Sequence, residues 1–226
     1  MGKKLVEKTA LVERREYSLK DAVVLLTQVS TTTFDGTAEV HVVLATDPTQ
    51  GDQQVRSTVS LPHGTGRKVR IAAIVPEDFV KDALAAGATK AGEAELIKEI
   101  EQGKLDFDIV VAAPAVMKNL GKVAKILGQK GLMPSPKAGT VSDDPVKVIT
   151  ELQKGRIEFR ADKQGIIHAI FGKISFGAEK LEENLRTLLQ AILDARPNAL
   201  KGDYIKSITI APSMGPGIRV DARTIR

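Results

Sequence analysis

Cysteine and tryptophan are absent from this 226-residue chain, and tyrosine occurs only twice. Without cysteine there is no disulfide, no thiolate catalysis and no cysteine metal site, which is compatible with a cytoplasmic protein. The few aromatic residues argue against a stacking platform of the kind that binds single strands. No run of about 18 apolar residues occurs, so we expect no membrane-spanning helix and no membrane partner. The charged N-terminus lacks the apolar stretch of a secretory signal.

The chain is moderately basic. Its net charge is +5 and its isoelectric point is near 9.3, while 42% of its residues are apolar and 27% are charged. The apolar share is enough for the core of one large or two modest domains. The positive charge favours an acidic partner such as a nucleic acid, but it does not by itself exclude an enzyme.

One long segment contains no acidic residue. Residues 109–142 carry five lysines and neither Asp nor Glu, whereas acids and bases mix elsewhere in the chain. A cationic surface suits phosphate groups, and the glycine- and proline-rich loops of the segment can add backbone N–H donors. A plainer alternative is the solvated face of an amphipathic helix, because three of the lysines follow helical spacing. The lysines are Lys118, Lys122, Lys125, Lys130 and Lys137.

The N-terminal part predicts two helices followed by two strands. A charged helix is expected over 3–15, and Ser18 is expected to cap a second helix that has Asp21 at its third position. Residues 37–44 alternate between apolar side chains and mainly polar ones, which predicts a half-buried antiparallel strand. A second strand over 55–61 is expected to pair with the first.

The middle of the chain has a different pattern. Residues 69–75 and 109–113 are nearly continuous apolar runs, which are typical of strands covered on both faces. Helical segments intervene and follow, so we predict βαβ units around a parallel sheet. The predicted helices span 76–86, 93–101, 115–127 and 145–153.

Alternation returns in the C-terminal part. A hairpin is predicted from strands over 156–161 and 165–171. A strongly amphipathic helix follows, and strands over 204–210 and 218–221 close the chain. The apolar stripe of that helix is Leu181, Leu185, Leu188 and Ile192.

The two styles of strand predict two domains and a mixed fold class. We expect an α/β domain, with a three-layer, Rossmann-like parallel sheet, inserted into an α+β domain formed by both termini. The expected boundaries are 67–155 for the inserted α/β domain and 1–66 plus 156–226 for the α+β domain.

Motifs for catalysis are missing from the sequence. The glycine-rich segment 64–68 has the wrong spacing for a phosphate-binding loop. The histidines His41, His63 and His168 are far apart in sequence, and we expect no metal and no cofactor. If His41 and His168 lie on adjacent strands, a shared RNA-facing surface is favoured over a metal site. The chain is therefore predicted not to be an enzyme.

An α/β enzyme is the competing class. The inserted domain could hold a small ligand at the edge of its parallel sheet. Acidic side chains occur at candidate positions, but no titratable partners accompany them in the sequence. These residues are Asp78, Asp143 and Asp144.

A glycine- and proline-rich turn near the C-terminus is a second candidate site. Residues 211–217 connect two predicted strands, and a simple connector is the plain interpretation. In the functional interpretation, Gly215 lets the backbone approach a sugar–phosphate chain closely, and Ser213 reaches a ribose or phosphate. Met214 would then pack on a sugar or base.

Several collinear motifs resemble the L-one family of large-subunit ribosomal proteins in its bacterial form. The resemblance covers essentially the whole length. It is carried by Phe34-Asp35, Glu39-Val40-His41, Asp52–Arg56, Val59–Gly64, Asp106–Asp108, Leu127–Thr140, Gly155–Arg160 and Ser213–Pro216.

The resemblance implies the nested two-domain fold and binding to a structured segment of 23S ribosomal RNA. That segment forms the mobile stalk beside the tRNA exit (E) site of the large ribosomal subunit. The family also implies help in releasing deacylated tRNA from the E site, and repression of the protein's own operon by binding its mRNA. A regulatory RNA-binding protein outside the ribosome is a further alternative, which co-sedimentation with large subunits at high salt would distinguish.

The resemblance also implies which residues contact RNA. The main contacts fall on Phe34, which matches an RNA-facing aromatic, and on the signature Ser213, Met214 and Gly215. The lysines of 109–142 then become a secondary basic face toward rRNA or E-site tRNA. Further rRNA-binding positions on the surrounding strands are Thr37, Glu39, His41, Arg56, Lys163, His168, Lys173 and Arg219.

Two departures from some relatives remove positive charge. Thr33 stands where some carry a lysine, and Thr49-Gln50 stands where some carry a basic pair. We therefore expect the salt dependence of RNA binding to be shallower than in such relatives, by roughly one unit of slope per lost phosphate contact.

Overall fold

The computed structural model describes residues 3–48, 50, 53–198, 200 and 202–225, with backbone alone at 3, 4, 137, 224 and 225. The chain divides into two compact units. Met1–Gly66 and Ile157–Arg226 form one, called here the terminal unit. Arg67–Arg156 forms the other, the middle unit.

The described residues form helices and strands in the following order. The first half contains α1 Lys3–Ala10, α2 Leu19–Gln28, β1 Thr37–Leu44, β2 Arg56–Ser60, β3 Ile71–Ile74, α3 Glu77–Ala85, β4 Lys90–Gly92 and α4 Ala94–Glu101. The second half contains β5 Ile109–Ala112, α5 Ala124–Gln129, α6 Pro145–Gln153, β6 Arg156–Arg160, β7 Ile166–Lys173, α7 Ala178–Asp194, β8 Ile205–Pro212 and β9 Ile218–Val220. Short 3₁₀ helices span Pro114–Lys122, Pro136–Ala138, Ile174–Phe176 and Ala222–Ile225.

A four-stranded antiparallel sheet forms the centre of the terminal unit. Its strand order is β7-β1-β8-β9, and α2 and α7 pack against each other and against the sheet. Alternate residues of β1 are fully or nearly buried, as its sequence predicts. The predicted stripe of α7 is also buried, and each such side chain stabilises the fold by about 1.5–3 kcal/mol. The buried residues of β1 are Ala38, Val40, Val42 and Leu44.

Local sequence explains where the first two helices begin and end. The Ser18 hydroxyl accepts a hydrogen bond from the Asp21 N–H at 3.2 Å, which confirms the predicted cap of α2. The helix predicted over 3–15 is too long, because α1 ends at Ala10. Beyond it, Tyr17 is buried and its hydroxyl accepts from the Glu13 N–H at 2.9 Å, which holds this stretch in a non-helical path.

The pairing predicted for two strands is wrong. β2 pairs with β6 in a separate two-stranded sheet, not with β1. The predicted 156–171 hairpin is reduced to one isolated bridge between Ala161 and Ile167. The Asp162 carboxylate accepts from the backbone N–H of Gln164 and Ile166 and closes the turn. The strands on either side of this turn then continue into different sheets.

A three-stranded parallel sheet forms the centre of the middle unit. Its order is β4-β3-β5, and β3 is buried along its whole length. The parallel sheet here and the antiparallel sheet of the terminal unit agree with the predicted mixture of α/β and α+β structure. The predicted helices near α3, α4 and α6 are present. Strand β4 was not predicted, because Lys90–Gly92 is too short to show a period.

The single helix predicted over 115–127 is wrong. The segment is a 3₁₀ helix over Pro114–Lys122 followed by the short α5. Gly121 and the non-helical backbone at Val123, with ψ near 2°, separate the two pieces. Among the described residues, no helix is long and apolar enough to cross a membrane.

Candidate nucleic-acid interface

The antiparallel sheet of the terminal unit has one covered face and one partly exposed face. Residues that alternate with the buried set of β1 are half-buried, among them Thr37, Glu39 and His41. On the neighbouring strands, His168 and Arg219 are exposed. Because side chains alternate across a strand, these residues share the face opposite α2 and α7. The open face is therefore polar and accessible.

Two loops meet at one end of this sheet. The loop before β1 carries Phe34, and the turn after β8 carries Met214. The Thr31 hydroxyl donates to the Met214 carbonyl at 3.2 Å, and the Ser213 N–H donates to the Thr37 carbonyl at 2.9 Å. The Ser213 hydroxyl in turn accepts from the Thr37 N–H at 3.1 Å. These bonds hold the two loops together, and we call the pair Phe34 and Met214 the apolar edge.

Both side chains of the apolar edge project into solvent. Phe34 is 62% exposed and Met214 is 79% exposed, which is unusual for large apolar side chains. Met214 also has a φ of +62°, a backbone conformation that side-chain-bearing residues rarely adopt. At Gly215 a Cβ would lie 2.5 Å from Pro212 Cγ, so this turn requires glycine there. The turn is thus built to present Met214 outward.

A cation is held beside the apolar edge. Lys173 Nζ donates to the Asp35 carbonyl at 3.1 Å and to the Thr37 hydroxyl at 3.2 Å. The Asp35 carboxylate is engaged separately, because it accepts from the N–H and the hydroxyl of Ser175. Lys173 is therefore oriented without a direct carboxylate partner in these contacts, and its charge stands next to Phe34's loop.

A row of polar side chains crosses the middle of the open face. His168 pairs with His41 across β7 and β1, His41 with Thr209 across β1 and β8, and Thr209 with Arg219 across β8 and β9. We call these four residues the histidine row. The two Nδ1 atoms of the histidines lie 2.8 Å apart, and the ring centroids are 5.0 Å apart with an edge-to-face geometry.

Burial and neighbouring groups shift the pKa values of His41, in the histidine row, and of Asp162 beside it. Burial lowers the pKa of the His41 imidazole, the His168 ring lowers it further, and the Glu39 carboxylate opposes both. On the other side, Asp162 Oδ2 lies 3.5 Å from His168 Nε2. The pKa of Asp162 is lowered, first by the hydrogen bond from the Ile166 N–H and further by His168.

Two predicted RNA-binding residues lie away from the apolar edge. Arg56 and Lys163 line a cleft of about 380 Å³ together with Arg160. The Leu44 N–H donates to the Gly165 carbonyl at 2.9 Å, so Lys163 belongs to the turn at the far end of β1. That end is roughly 24 Å from Thr37, at about 3.4 Å per strand residue. Arg56 also forms a close ion pair with Glu158, which offsets its charge.

The lysines of 109–142 belong to the middle unit. Lys118 and Lys122 lie on the 3₁₀ helix and Lys125 on α5, while Lys130 follows α5 directly. All four are exposed, and we call them the lysine run. The side chain of Lys137 lies outside the described part of the structure. The lysine run and the sheet of the terminal unit thus belong to different units of the chain.

The surface around the lysine run includes acidic residues, although the sequence segment 109–142 contains none. Lys122 lines a cleft of about 320 Å³ whose other walls include Glu93 and Glu101 from the α4 region. Asn119 donates to the Glu93 carboxylate at 2.7 Å. Acids that are distant in sequence therefore face one lysine of the run, which supports part of the solvated-face alternative.

The acidic residues considered for an enzyme have structural roles or stand apart. Asp144 caps α6 by accepting from the Lys147 N–H at 3.1 Å. Asp78 lies in the first turn of α3. Within the part of the chain that the structure describes, no group of three or more His, Cys, Asp or Glu side chains could hold a metal.

Sequence reasoning missed several residues that build the candidate interface. Thr31, Asp35 and Ser175 position the two loops and Lys173 through side-chain hydrogen bonds. Of the departures that remove charge, Thr33 is exposed, and Thr49 lies outside the described residues.

An open sheet face with an exposed apolar edge, oriented hydroxyls and cations is typical of the surfaces with which proteins bind nucleic acids. The family model described as "Ribosomal protein L1p/L10e family" matches residues 26–216, a span that includes both members of the apolar edge. The chain belongs to this family of ribosomal proteins, as the motifs of the sequence predict. The family is one of RNA-binding structural proteins of the large ribosomal subunit, and it is not a family of enzymes.

Proposed function

We propose that the chain binds a structured segment of 23S rRNA and forms the mobile stalk of the large subunit beside the E site. The observation that carries the proposal is the exposure of Phe34 and Met214, at 62% and 79%, on loops fixed by mutual hydrogen bonds. A preformed apolar edge can pack on sugars and bases without first ordering itself, so less conformational entropy is lost on binding.

The neighbouring groups suit RNA rather than DNA. Hydroxyls at Thr37 and Ser213 lie beside the apolar edge and can meet ribose 2′-hydroxyls, while Lys173 supplies a point charge for phosphate. Such contacts read the shape of a folded RNA more than its base edges. The terminal unit is in this proposal the main RNA-binding domain, with Phe34 and Ser213–Gly215 at the centre of the contact.

Secondary roles follow from the same proposal. The middle unit is proposed as an inserted Rossmann-like domain, and its lysine run as a weaker contact to rRNA or to E-site tRNA that assists release of deacylated tRNA. An mRNA that presents the same folded surface would bind the same edge, so the protein would repress its own operon in the cytoplasm. No cofactor enters this function.

Substitution of Met214 tests the proposal. Met214→Asp should weaken binding of an rRNA stalk fragment by well over tenfold, measured by filter binding. The exposed side chain has no packing role, but a carboxylate there would face phosphate, and buried contacts left unmade cost about 1–3 kcal/mol. The fold should be unchanged by circular dichroism.

A matched variant separates a local effect from a general change in charge. Leu84 on α3 is 47% exposed, so Leu84→Asp removes a comparable exposed apolar side chain in the middle unit. Its affinity for the fragment should change less than about twofold. Equal affinity for the Met214→Asp variant and the parent chain would refute the proposed contact.

A further inference from the structure

The histidine row lies between the two ends of the proposed RNA-binding surface. On one side along β1 is the apolar edge, and on the other is the turn that holds Asp162 and Lys163. An RNA strand that follows the open face along β1 passes over the row. The row is accessible, because the side chain of His168 is 54% exposed.

Fixed charges do not make this stretch attractive to phosphate. The carboxylates of Glu39 and Asp162 act on the histidines from β1 and from the β6–β7 turn. Arg219 of β9 shares this face but lies two strands away from His41. Thr209 of β8 is uncharged, and Lys173 and Lys163 stand further along the face at its two ends. With both histidines neutral, the two carboxylates outweigh Arg219 at the centre of the face.

The hydrogen bonds assign the protons of the neutral pair. His168 Nε2 faces Asp162, so it carries a proton, and its Nδ1 is then an acceptor. The 2.8 Å contact between the two Nδ1 atoms therefore requires the proton on His41 Nδ1. One lone pair remains, at His41 Nε2. A proton added there keeps both contacts and makes the His41 bond to His168 charge-assisted, whereas a second added proton would break it.

We propose that the histidine row is a phosphodiester-binding site that takes up one proton from solvent when RNA binds. The inference rests on the proposed RNA-binding function and deepens it. The added charge, together with Arg219 and the Thr209 hydroxyl, would place two cations and a donor across three neighbouring strands. That arrangement suits one backbone phosphate of a strand that passes over the row.

The lowered pKa of His41 in the free protein agrees with uptake of a proton only when RNA binds. The pKa of His41 is lowered, chiefly by burial and then by His168, so the His41 ring is neutral near pH 7 without RNA. A nearby phosphate favours the charged imidazolium and raises that pKa. Affinity for RNA should therefore increase as the pH falls between the free and bound pKa values.

The pH dependence of binding tests the proposal with the full chain and an rRNA stalk transcript. Between about pH 8 and about pH 6, the association constant should rise by up to about tenfold for each pH unit. Calorimetry at one pH in buffers of low and high ionisation enthalpy should show uptake of close to one proton. His41→Asn, which retains a donor near the Nδ1 position but cannot be protonated, should bind with little pH dependence and no proton uptake.

A control substitution and the RNA itself complete the design. His63 pairs with Glu183 at 2.5 Å, away from the open face, so His63→Gln removes a half-buried histidine outside the histidine row and should keep the full pH dependence. Titration of the RNA cancels, because every variant binds the same transcript. Equal pH dependence and proton uptake in the parent chain and His41→Asn would overturn the inference while leaving RNA binding intact. Failure of the parent chain to bind at any pH would instead remove the proposed function.

Discussion

Asn184 is a buried amide on α7 that ties three segments together. Its carbonyl oxygen accepts from the His63 N–H at 3.0 Å, and its amide donates to the carbonyls of Gly64 and Phe171 at 2.9 and 2.8 Å. The side chain has no exposed surface. A single residue thus links the loop after β2, the C-terminal part of β7 and the long helix, all behind the candidate interface.

Replacing this amide should destabilise the terminal unit. Asn184→Ala leaves three backbone groups without their partner, and we expect a loss of about 2–4 kcal/mol in the free energy of unfolding. Both tyrosines, Tyr17 and Tyr204, belong to the terminal unit, so tyrosine fluorescence during urea unfolding reports on that unit. Asn119→Ala, at an exposed position of the middle unit, should change this transition by less than about 0.5 kcal/mol. Similar midpoints for the two variants would contradict the role given to Asn184.

At the scale of elements, one carboxylate fixes the start of two parallel strands. Asp108 directly precedes β5, and its side chain accepts from the N–H and the guanidinium of Arg70, directly before β3. Arg67 approaches the same carboxylate at 3.0 Å. The hydrogen bond from the Arg70 guanidinium is the main cause of the lowered pKa of Asp108.

Stability of the middle unit should depend on the ionisation of this group. Because the folded-state pKa of Asp108 lies below its ordinary value of 3.8, its contribution is present above that value and is lost as the pH falls through the folded-state pKa. Asp108→Asn should lower stability by roughly 1 kcal/mol near neutral pH, and this loss should shrink as the pH falls below 3.8 and through the folded-state pKa of Asp108. Far-UV circular dichroism would show the loss while tyrosine fluorescence stays unchanged.

A neighbouring carboxylate provides the comparison. Asp106 is exposed and lies two residues earlier, so Asp106→Asn makes the same chemical change beside the same strand. The free energy of unfolding of this variant should stay close to that of the parent chain at every pH. A difference between parent and Asp108→Asn that persists undiminished in acid would argue that the side chain acts by packing and not by charge.

The elements also show what a sequence can and cannot predict. The period of β1 and the apolar run of β3 depend on neighbours in the chain, and both were predicted to within a few residues. The partner of β2 depends on where the distant β6 lies, and no local pattern contains that information. The hydrogen bond between Thr37 and Ser213 joins residues 176 positions apart, so the apolar edge could be predicted from the family resemblance but not from spacing.

At the scale of the whole molecule, the basic segment and the candidate interface belong to different units of the chain. The lysine run lies in the middle unit, while the apolar edge and the histidine row lie in the terminal unit. The acid-free segment therefore indicates an RNA-binding protein, while the main contact proposed above lies in the other unit. Glu93 and Glu101 beside Lys122 show that a one-signed sequence need not give a one-signed surface.

Neutralising three lysines of the run should separate its contribution to rRNA affinity from its contribution to tRNA release. With Lys118, Lys122 and Lys125 all changed to Gln, affinity for the rRNA fragment should fall only about two- to fivefold, with a small decrease in salt slope. Release of deacylated tRNA from ribosomes should change more. The same three changes at Lys81, Lys147 and Lys154, which are exposed elsewhere in the middle unit, should have less effect on both. Complete loss of rRNA binding on the first set would assign the main contact to the run.

The left-handed backbone at position 214 favours glycine for stability, whereas the proposed RNA contact favours methionine. Glycine adopts a φ of +62° without strain, whereas a side chain at this φ costs of order 1 kcal/mol or more. Selection for thermal stability alone would thus enrich glycine at this position and erase the apolar edge. The proposed RNA contact needs the methionine side chain, so Met214 is the position where variants chosen for stability would diverge first from variants chosen for binding.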